Sequence, residues 1–185
     1  VAVAVLDSGS PTVGSTAYAT SSFIDGGYDF VDDDNNPADT GTPTDSHGIH
    51  VGSTIAALND GLNINGFGVS TLPLRVCGVQ ACPTSYVLDA MLYSAGLSNS
   101  SGTVYSGSTP VRVINMSLGS SGGGCGSSWQ NVINDVTNSG VTVVSSSGNE
   151  AVEAPGVYGY PASCNSVISV GAVDPLRNRA SYSTY

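Results

Sequence analysis

Val1-Ala2-Val3-Ala4-Val5-Leu6-Asp7-Ser8-Gly9 opens the chain. Its apolar residues run without interruption from Val1 to Leu6, with valine at alternate positions. A run this short and this continuous reads as a strand buried on both faces, as in a parallel sheet. It stops at Asp7, followed by the turn pair Ser8-Gly9. A carboxylate at the carboxyl end of a central parallel strand stands where open α/β sheets place their functional groups. An Asp in that position also caps turns, so Asp7 alone decides nothing. No start signal precedes Val1, and the chain is expected to begin inside a domain.

Further strands are expected at Tyr28–Val31, Val69–Val76, Val111–Gly119, Val141–Ser145 and Val167–Val173. Pro73 within the second of these suggests an edge position or a bulge. Helices are expected between them. One opens at Ser46 and carries Gly48, Val51, Gly52, Ile55 and Ala56. A second follows the Pro83-Thr84-Ser85 cap, with Tyr86, Val87, Ala90, Met91, Tyr93, Ala95 and Leu97 as its apolar face. A third is capped by Ser128, carries Trp129, Val132, Ile133 and Val136, and stops at Asn138-Ser139-Gly140. Alternating strands and helices with short links imply a doubly wound α/β domain: a mostly parallel sheet with helices on both faces. No internal repeat is evident, and residues 1–185 read as one domain.

Composition bounds the function. The chain has 185 residues, 40% of them apolar and 10% charged, enough for a proper core. Acidic residues outnumber basic ones 14 to 4, for a net charge of −10. That balance argues against nucleic acid and anionic membranes as partners. No apolar run approaches the ~20 residues that span a bilayer. The 4 cysteines favour an oxidising compartment, and the lack of lysine suits an extracellular surface.

Polar groups cluster in a few places. His47, in Asp45-Ser46-His47-Gly48-Ile49-His50-Val51, lies in the first turn of the expected helix, at the edge of a cleft. There an imidazole keeps a usable pKa and reaches solvent. Asp29, Asp32, Asp34 and Asn36 place oxygens at short spacing on a loop, a pattern that suits a hard cation such as calcium. The spacing is not that of an EF-hand, and a solvated acidic loop is the plain alternative. Leu58–Gly66 is a second oxygen-rich loop of the same kind. Cys77 and Cys82 flank a short loop that a disulfide can close, and the cysteines lack zinc-ligand spacing. Ser117 and Asn149 follow buried strands, as Asp7 does. The chemistry that wants Asp, His and a neutral amide together is acyl transfer. The His is the general base, the Asp holds its tautomer, and the amide donates to the developing oxyanion.

On these residues the chain resembles the subtilisin-like (subtilase) family of serine endopeptidases, of the secreted bacterial type with disulfides. Val-Leu-Asp7-Ser-Gly resembles the family's Asp motif, and Ser-His47-Gly-Ile-His50-Val its His motif. Val-Ile-Asn115-Met-Ser117-Leu-Gly119 resembles the strand lining the substrate cleft, and Ser-Ser-Gly148-Asn149-Glu150 the oxyanion motif. Gly159-Tyr160-Pro161 and Ser169–Asp174 match the segments that follow. The order of these motifs is more specific than any one of them. The resemblance implies Asp7 and His47 as catalytic and Asn149 as the oxyanion donor. It implies Ser117, Leu118 and Gly119 as one wall of the S1 pocket, pairing with substrate as an added strand. Ser147 and Gly148 form part of the opposite wall, with Gly159 near the floor and Glu150 at the rim. A glycine floor leaves room for a large P1 side chain, and Glu150 at the rim is expected to tolerate a basic one. The resemblance also pairs Cys77 with Cys82 and Cys125 with Cys164. It makes the acidic loop similar to the calcium loop of the thermitase-like branch and suggests a cis peptide before Pro161. His50 reads as structural.

Departures matter too. Ile49 stands where the family has Thr, and Gly52-Ser53 where it has Ala-Gly, so some repacking of the helix is expected. The family's nucleophile, in a Gly-Thr-Ser segment, is not among these residues; the chain ends at Tyr185. The reading is therefore a partial catalytic domain, truncated at both ends, inactive alone, marginal and aggregation-prone. The expected whole is a monomeric, extracellular endopeptidase acting on protein or peptide substrates, bound early on by its own propeptide. A catalytically inactive peptide-binding module is the alternative. An esterase is disfavoured, because no Gly-x-Ser-x-Gly elbow occurs and the Asp precedes the His.

Overall fold

The computed structural model describes residues 1–11, 23–39, 46–61, 64–152 and 159–185. Residues divide into two compact units, Val1–Asn115 and Met116–Tyr185.

The first unit carries β1 (Ala2–Asp7), β2 (Tyr28–Asp29), α1 (His47–Ala56), β3 (Ser70–Arg75), α2 (Thr84–Ser94) and β4 (Val111–Met116), the last ending at the unit boundary. Its strands lie in the order β2-β3-β1-β4, all parallel. Every residue of β1 is buried, as its unbroken apolar run requires of a strand covered on both faces. Helix α1 packs on β1 and β3 and helix α2 on β1. Gly48, Gly52, Ser53 and Ala56 are the buried residues of α1. Small side chains there let the helix approach the sheet closely. Ser53, the residue expected to force repacking, turns its hydroxyl back to donate to the Ile49 carbonyl at 2.8 Å.

Pro73 is not on an edge strand, as its lack of an N–H suggested: β3 lies between β1 and β2, with Pro73 opposite Val5. The carbonyls of Thr71 and Arg75 accept from Ile24 and Phe30, on the side away from β1. By the period of the strand, Pro73 faces that same side. There β2 pairs only with Leu74 and Arg75, so the missing N–H interrupts no ladder bond. Expected strand Tyr28–Val31 is accordingly shorter; the chain turns after Asp29.

In the second unit α3 (Ser127–Asn138) packs against β5 (Thr142–Ser146), which pairs in parallel with β6 (Val167–Val170). Trp129, Ile133 and Val136 form the buried stripe of α3, at the spacing of one helical face. Ser128 does not cap this helix; Gly126 occupies the cap position and no side chain bonds to it. The magnitudes explain why none is needed. A missing cap costs about 1 kcal/mol, whereas each buried anchor contributes about 1.5–3 kcal/mol. Pro83 likewise holds the cap position of α2, leaving Thr84 and Ser85 inside that helix. Gly140 ends α3 with φ +89, the left-handed stop expected of it. Strand β6 is largely exposed, with Ile168 at 53% and Val170 at 49%.

Candidate active site

In the first unit, β1 delivers Asp7 to its carboxyl end and α1 begins at His47. His47 Nδ1 lies 2.7 Å from Asp7 Oδ1. The two residues differ in setting: the Asp7 side chain is 3% exposed and that of His47 60%. Asp7 Oδ1 also accepts from the Ser8 N–H at 2.8 Å. The acceptor on Nδ1 fixes the proton there and leaves Nε2 as the basic nitrogen, turned to the open side. The hydrogen bond that His47 donates to Asp7 raises the His47 pKa above 6.5, opposed by partial burial and assisted by the charge of Asp7.

Close backbone packing places the helix start against the strand end. A Cβ on Gly48 would lie 2.5 Å from the Gly9 carbonyl oxygen and 3.1 Å from Asp7 Cβ. Only glycine fits after His47. Gly9, at φ +125, turns the chain sharply away after Ser8. The carbonyl of Asp7 accepts from the Val76 and Cys77 N–H groups at 2.9 and 3.2 Å, so the end of β3 grips the carboxylate's own backbone.

The second unit holds a cleft of about 210 Å³. Ser117, Leu118, Gly119, Ser147, Gly148, Asn149, Glu150 and Gly159 all line it, so every expected wall residue of the pocket is gathered there. Asn149 and Glu150 are exposed. Gly148 turns the chain at φ +112. Gly159 serves a different purpose from the one expected of a floor glycine. A Cβ there would run into the Ser120 carbonyl oxygen rather than fill the cleft, and Gly159 bridges Gly123. Close backbone approach, not pocket room, demands glycine.

The segment Ser183–Thr184 braces this turn, a contribution that no motif disclosed. Ser147 Oγ donates to the Thr184 carbonyl at 2.6 Å, and the Thr184 N–H donates to the Gly148 carbonyl at 3.1 Å. Thr184 Oγ1 accepts from the Glu150 N–H and donates to Glu150 Oε2 at 3.0 Å. Ser147 therefore uses its hydroxyl structurally.

Along its whole length, residues 1–185, the chain matches the model of the subtilase family. The chain belongs to the subtilase family. It is 37% identical over 190 residues to an extracellular basic protease of Dichelobacter nodosus, covering 86% of this chain and 31% of that protein. It is 34% identical over 213 residues to an extracellular protease of Xanthomonas campestris, covering 99% of this chain and 35% of that protein. Among solved structures, one of the proteases from Pseudoalteromonas arctica PAMC 21717 superposes with a TM-score of 0.84 at 31% identity, over all of this chain and 60% of that one. The subtilase chain thus spans about a third of the length of the first two relatives.

In the acidic loop of this subtilase the carboxylates meet a guanidinium and backbone N–H groups. Arg75 Nη1 contacts Asp29 Oδ2 at 2.5 Å and Asp32 Oδ2 at 2.6 Å. Asp29 Oδ1 accepts from the Val31 and Asp32 N–H groups, and Asp34 Oδ1 from the Asn36 N–H. Asp33, at φ +58, accepts from the Tyr28 hydroxyl, which pushes that phenol up to about 12. Asp29, Asp32 and Asp34 are thus engaged by other partners, and the Arg75 guanidinium supplies positive charge to Asp29 and Asp32. Among the described residues no group of three or more His, Cys, Asp or Glu side chains is arranged to hold a metal ion. In the other oxygen-rich loop, Leu62 and Asn63 lie outside the described residues.

Disulfides join Cys77 to Cys82 and Cys125 to Cys164. The Tyr160–Pro161 peptide is cis. His50 is an exposed residue of α1, and no helix among the described residues is long and apolar enough to cross a membrane.

Proposed function

We propose that this subtilase chain provides the Asp–His pair, the oxyanion donor and the S1 walls of a secreted serine endopeptidase. The observation that carries the reading is the 2.7 Å contact between an exposed His47 and a buried Asp7. A buried carboxylate hydrogen-bonded to Nδ1 holds the imidazole in the tautomer whose Nε2 accepts a proton. In this reading His47 takes the proton of the attacking serine hydroxyl and gives it to the leaving amine. Asp7 stays ionised and stabilises the imidazolium between those steps. The serine belongs to a segment outside these 185 residues, in keeping with the greater length of the relatives. Asn149 donates its side-chain N–H to the carbonyl oxygen as negative charge develops there. Ser117–Gly119 pair with the substrate backbone, and the cleft beside them takes the P1 side chain, with Glu150 at its rim favouring a basic one. The relatives named extracellular proteases support a secreted product that acts on protein substrates.

Covalent labelling tests the reading. The natural full-length protein is treated with a fluorophosphonate reagent that modifies base-activated serines. One serine is expected to label in the wild type, and His47→Ala to abolish labelling. Undiminished labelling in His47→Ala overturns the reading.

A further inference from the structure

Asp39 is a carboxylate that the triad chemistry does not use, yet it is 8% exposed. Its Oδ2 accepts from the Ser8 hydroxyl at 2.9 Å. The same Ser8 oxygen accepts from the Gly48 N–H at 3.0 Å, and Ser8 is itself only 7% exposed. Gly48 follows His47, and its N–H belongs to the first turn of α1, where no helical carbonyl is available to it. A continuous chain thus runs from a buried charge, through one hydroxyl, to the helix end that carries the base. The backbone holds Asp39 for this contact. Its N–H donates to the Ser10 carbonyl at 2.6 Å, the Ser10 N–H donates to the Pro37 carbonyl at 2.9 Å, and Ser10 bridges Ala38 in parallel. Gly9 adds to the fit, since a Cβ there would lie 2.8 Å from the Asp39 nitrogen.

We infer that Asp39, acting through the Ser8 hydroxyl, is a positioning residue that fixes the His47 end of helix α1 against Asp7. A hydrogen bond to an ionised acceptor is stronger and more directional than one to a neutral group. The negative charge orients the Ser8 proton toward Asp39, which leaves the Ser8 lone pair for Gly48. The same charge suits the amino end of a helix. Among the described residues, the titratable groups gathered here are Asp7 from β1, His47 from α1 and Asp39 from the loop between them. The inference rests on the endopeptidase reading only for its kinetic arm.

The test uses the natural full-length protein and the variants Asp39→Asn and Ser8→Ala. Asp39→Asn keeps an acceptor for Ser8 and removes the charge. Folding is checked by circular dichroism, and His47 is titrated by NMR with His50 as the internal control. Asp39→Asn is expected to lower the His47 pKa by about half a pH unit, and Ser8→Ala to lower it further. With a peptide substrate, kcat is expected to fall roughly 5- to 20-fold at unchanged KM. Folded variants whose His47 titrates as in the wild type overturn the inference. If the wild type cleaves no peptide, the endopeptidase reading fails, and the His47 titration still decides the role of Asp39. If neither variant folds, hydrogen exchange of the wild-type Gly48 amide decides. Protection matching the interior of α1 supports the inference, and exchange at the rate of an open first-turn N–H overturns it.

Discussion

The ends of β1 and β5 solve the same backbone problem and reach opposite outcomes. Each strand runs into a turn made by a glycine in the left-handed region, Gly9 at φ +125 and Gly148 at φ +112. At the first turn the functional group, Asp7, precedes the glycine and is 2% exposed. At the second the proposed oxyanion donor, Asn149, follows the glycine and is exposed. The difference fits the two proposed tasks. A carboxylate that holds an imidazole works best away from water, because water would screen it and compete for the hydrogen bond. An amide that must meet an incoming oxygen has to stay accessible. Bracing differs in the same way. Asp7 is gripped through its carbonyl by Val76 and Cys77, whereas the second turn is held at its base by Ser183–Thr184, leaving Asn149 at its tip.

Removing the group at the end of β1 is expected to have the largest effect. In Asp7→Asn the imidazole loses its tautomer lock, and kcat is expected to fall about 10⁴-fold in peptide hydrolysis. Removing the group at the end of β5 is expected to cost less. Asn149→Ala should lower kcat about 10²- to 10³-fold with KM nearly unchanged, as befits a donor used in the transition state. Equal losses in the two variants would erase the contrast drawn here.

Arg75 extends the comparison to stability. Its guanidinium is 7% exposed and neutralises Asp29, whose side chain is 2% exposed. Arg75→Met leaves a buried charge unpaired and is expected to cost about 3–5 kcal/mol in denaturant unfolding. A loss below ~1 kcal/mol would mean that something else, such as a bound cation, compensates Asp29.

The smallest effect concerns the exposed rim. Glu150→Gln is expected to reduce kcat/KM for substrates with Lys or Arg at P1 by about 2- to 5-fold relative to Phe, the scale of an exposed ion pair. An unchanged ratio would remove Glu150 from the specificity account.

Much of this was legible locally. Strand β1, the start of α1 at His47 and the stop at Gly140 follow from apolar runs, periodicity and a glycine, all short-range signals. Pro73 misled because its lone side depends on how short β2 is. Ser128 misled because the stripe of Trp129, Ile133 and Val136 secures α3 without a cap. The wall residues of the cleft were legible as motifs, but their braces were not. Thr184 reaches Glu150 across 34 residues, and Asp39 reaches Ser8 across 31. The acidic loop shows the limit most plainly. Its oxygens are visible in sequence, but the Arg75 guanidinium that engages Asp29 comes from 46 residues away.

The most direct test of the central claim, that Asp7 and His47 form the working base of a serine endopeptidase, is a pH–rate profile. The Asp7 hydrogen bond lifts the His47 pKa above 6.5, and the base works only when neutral. For folding the sign is the reverse. A raised folded-state pKa stabilises the fold fully below 6.5, and that contribution is lost as pH rises through the raised value. The measurement is kcat/KM of the natural full-length protein on a chromogenic peptide from pH 5 to pH 9, alongside Asp7→Asn. Activity is expected to climb through a single pKa above 6.5 in the wild type and to be reduced about 10⁴-fold in Asp7→Asn. A flat profile, or a variant as active as the wild type, would contradict it.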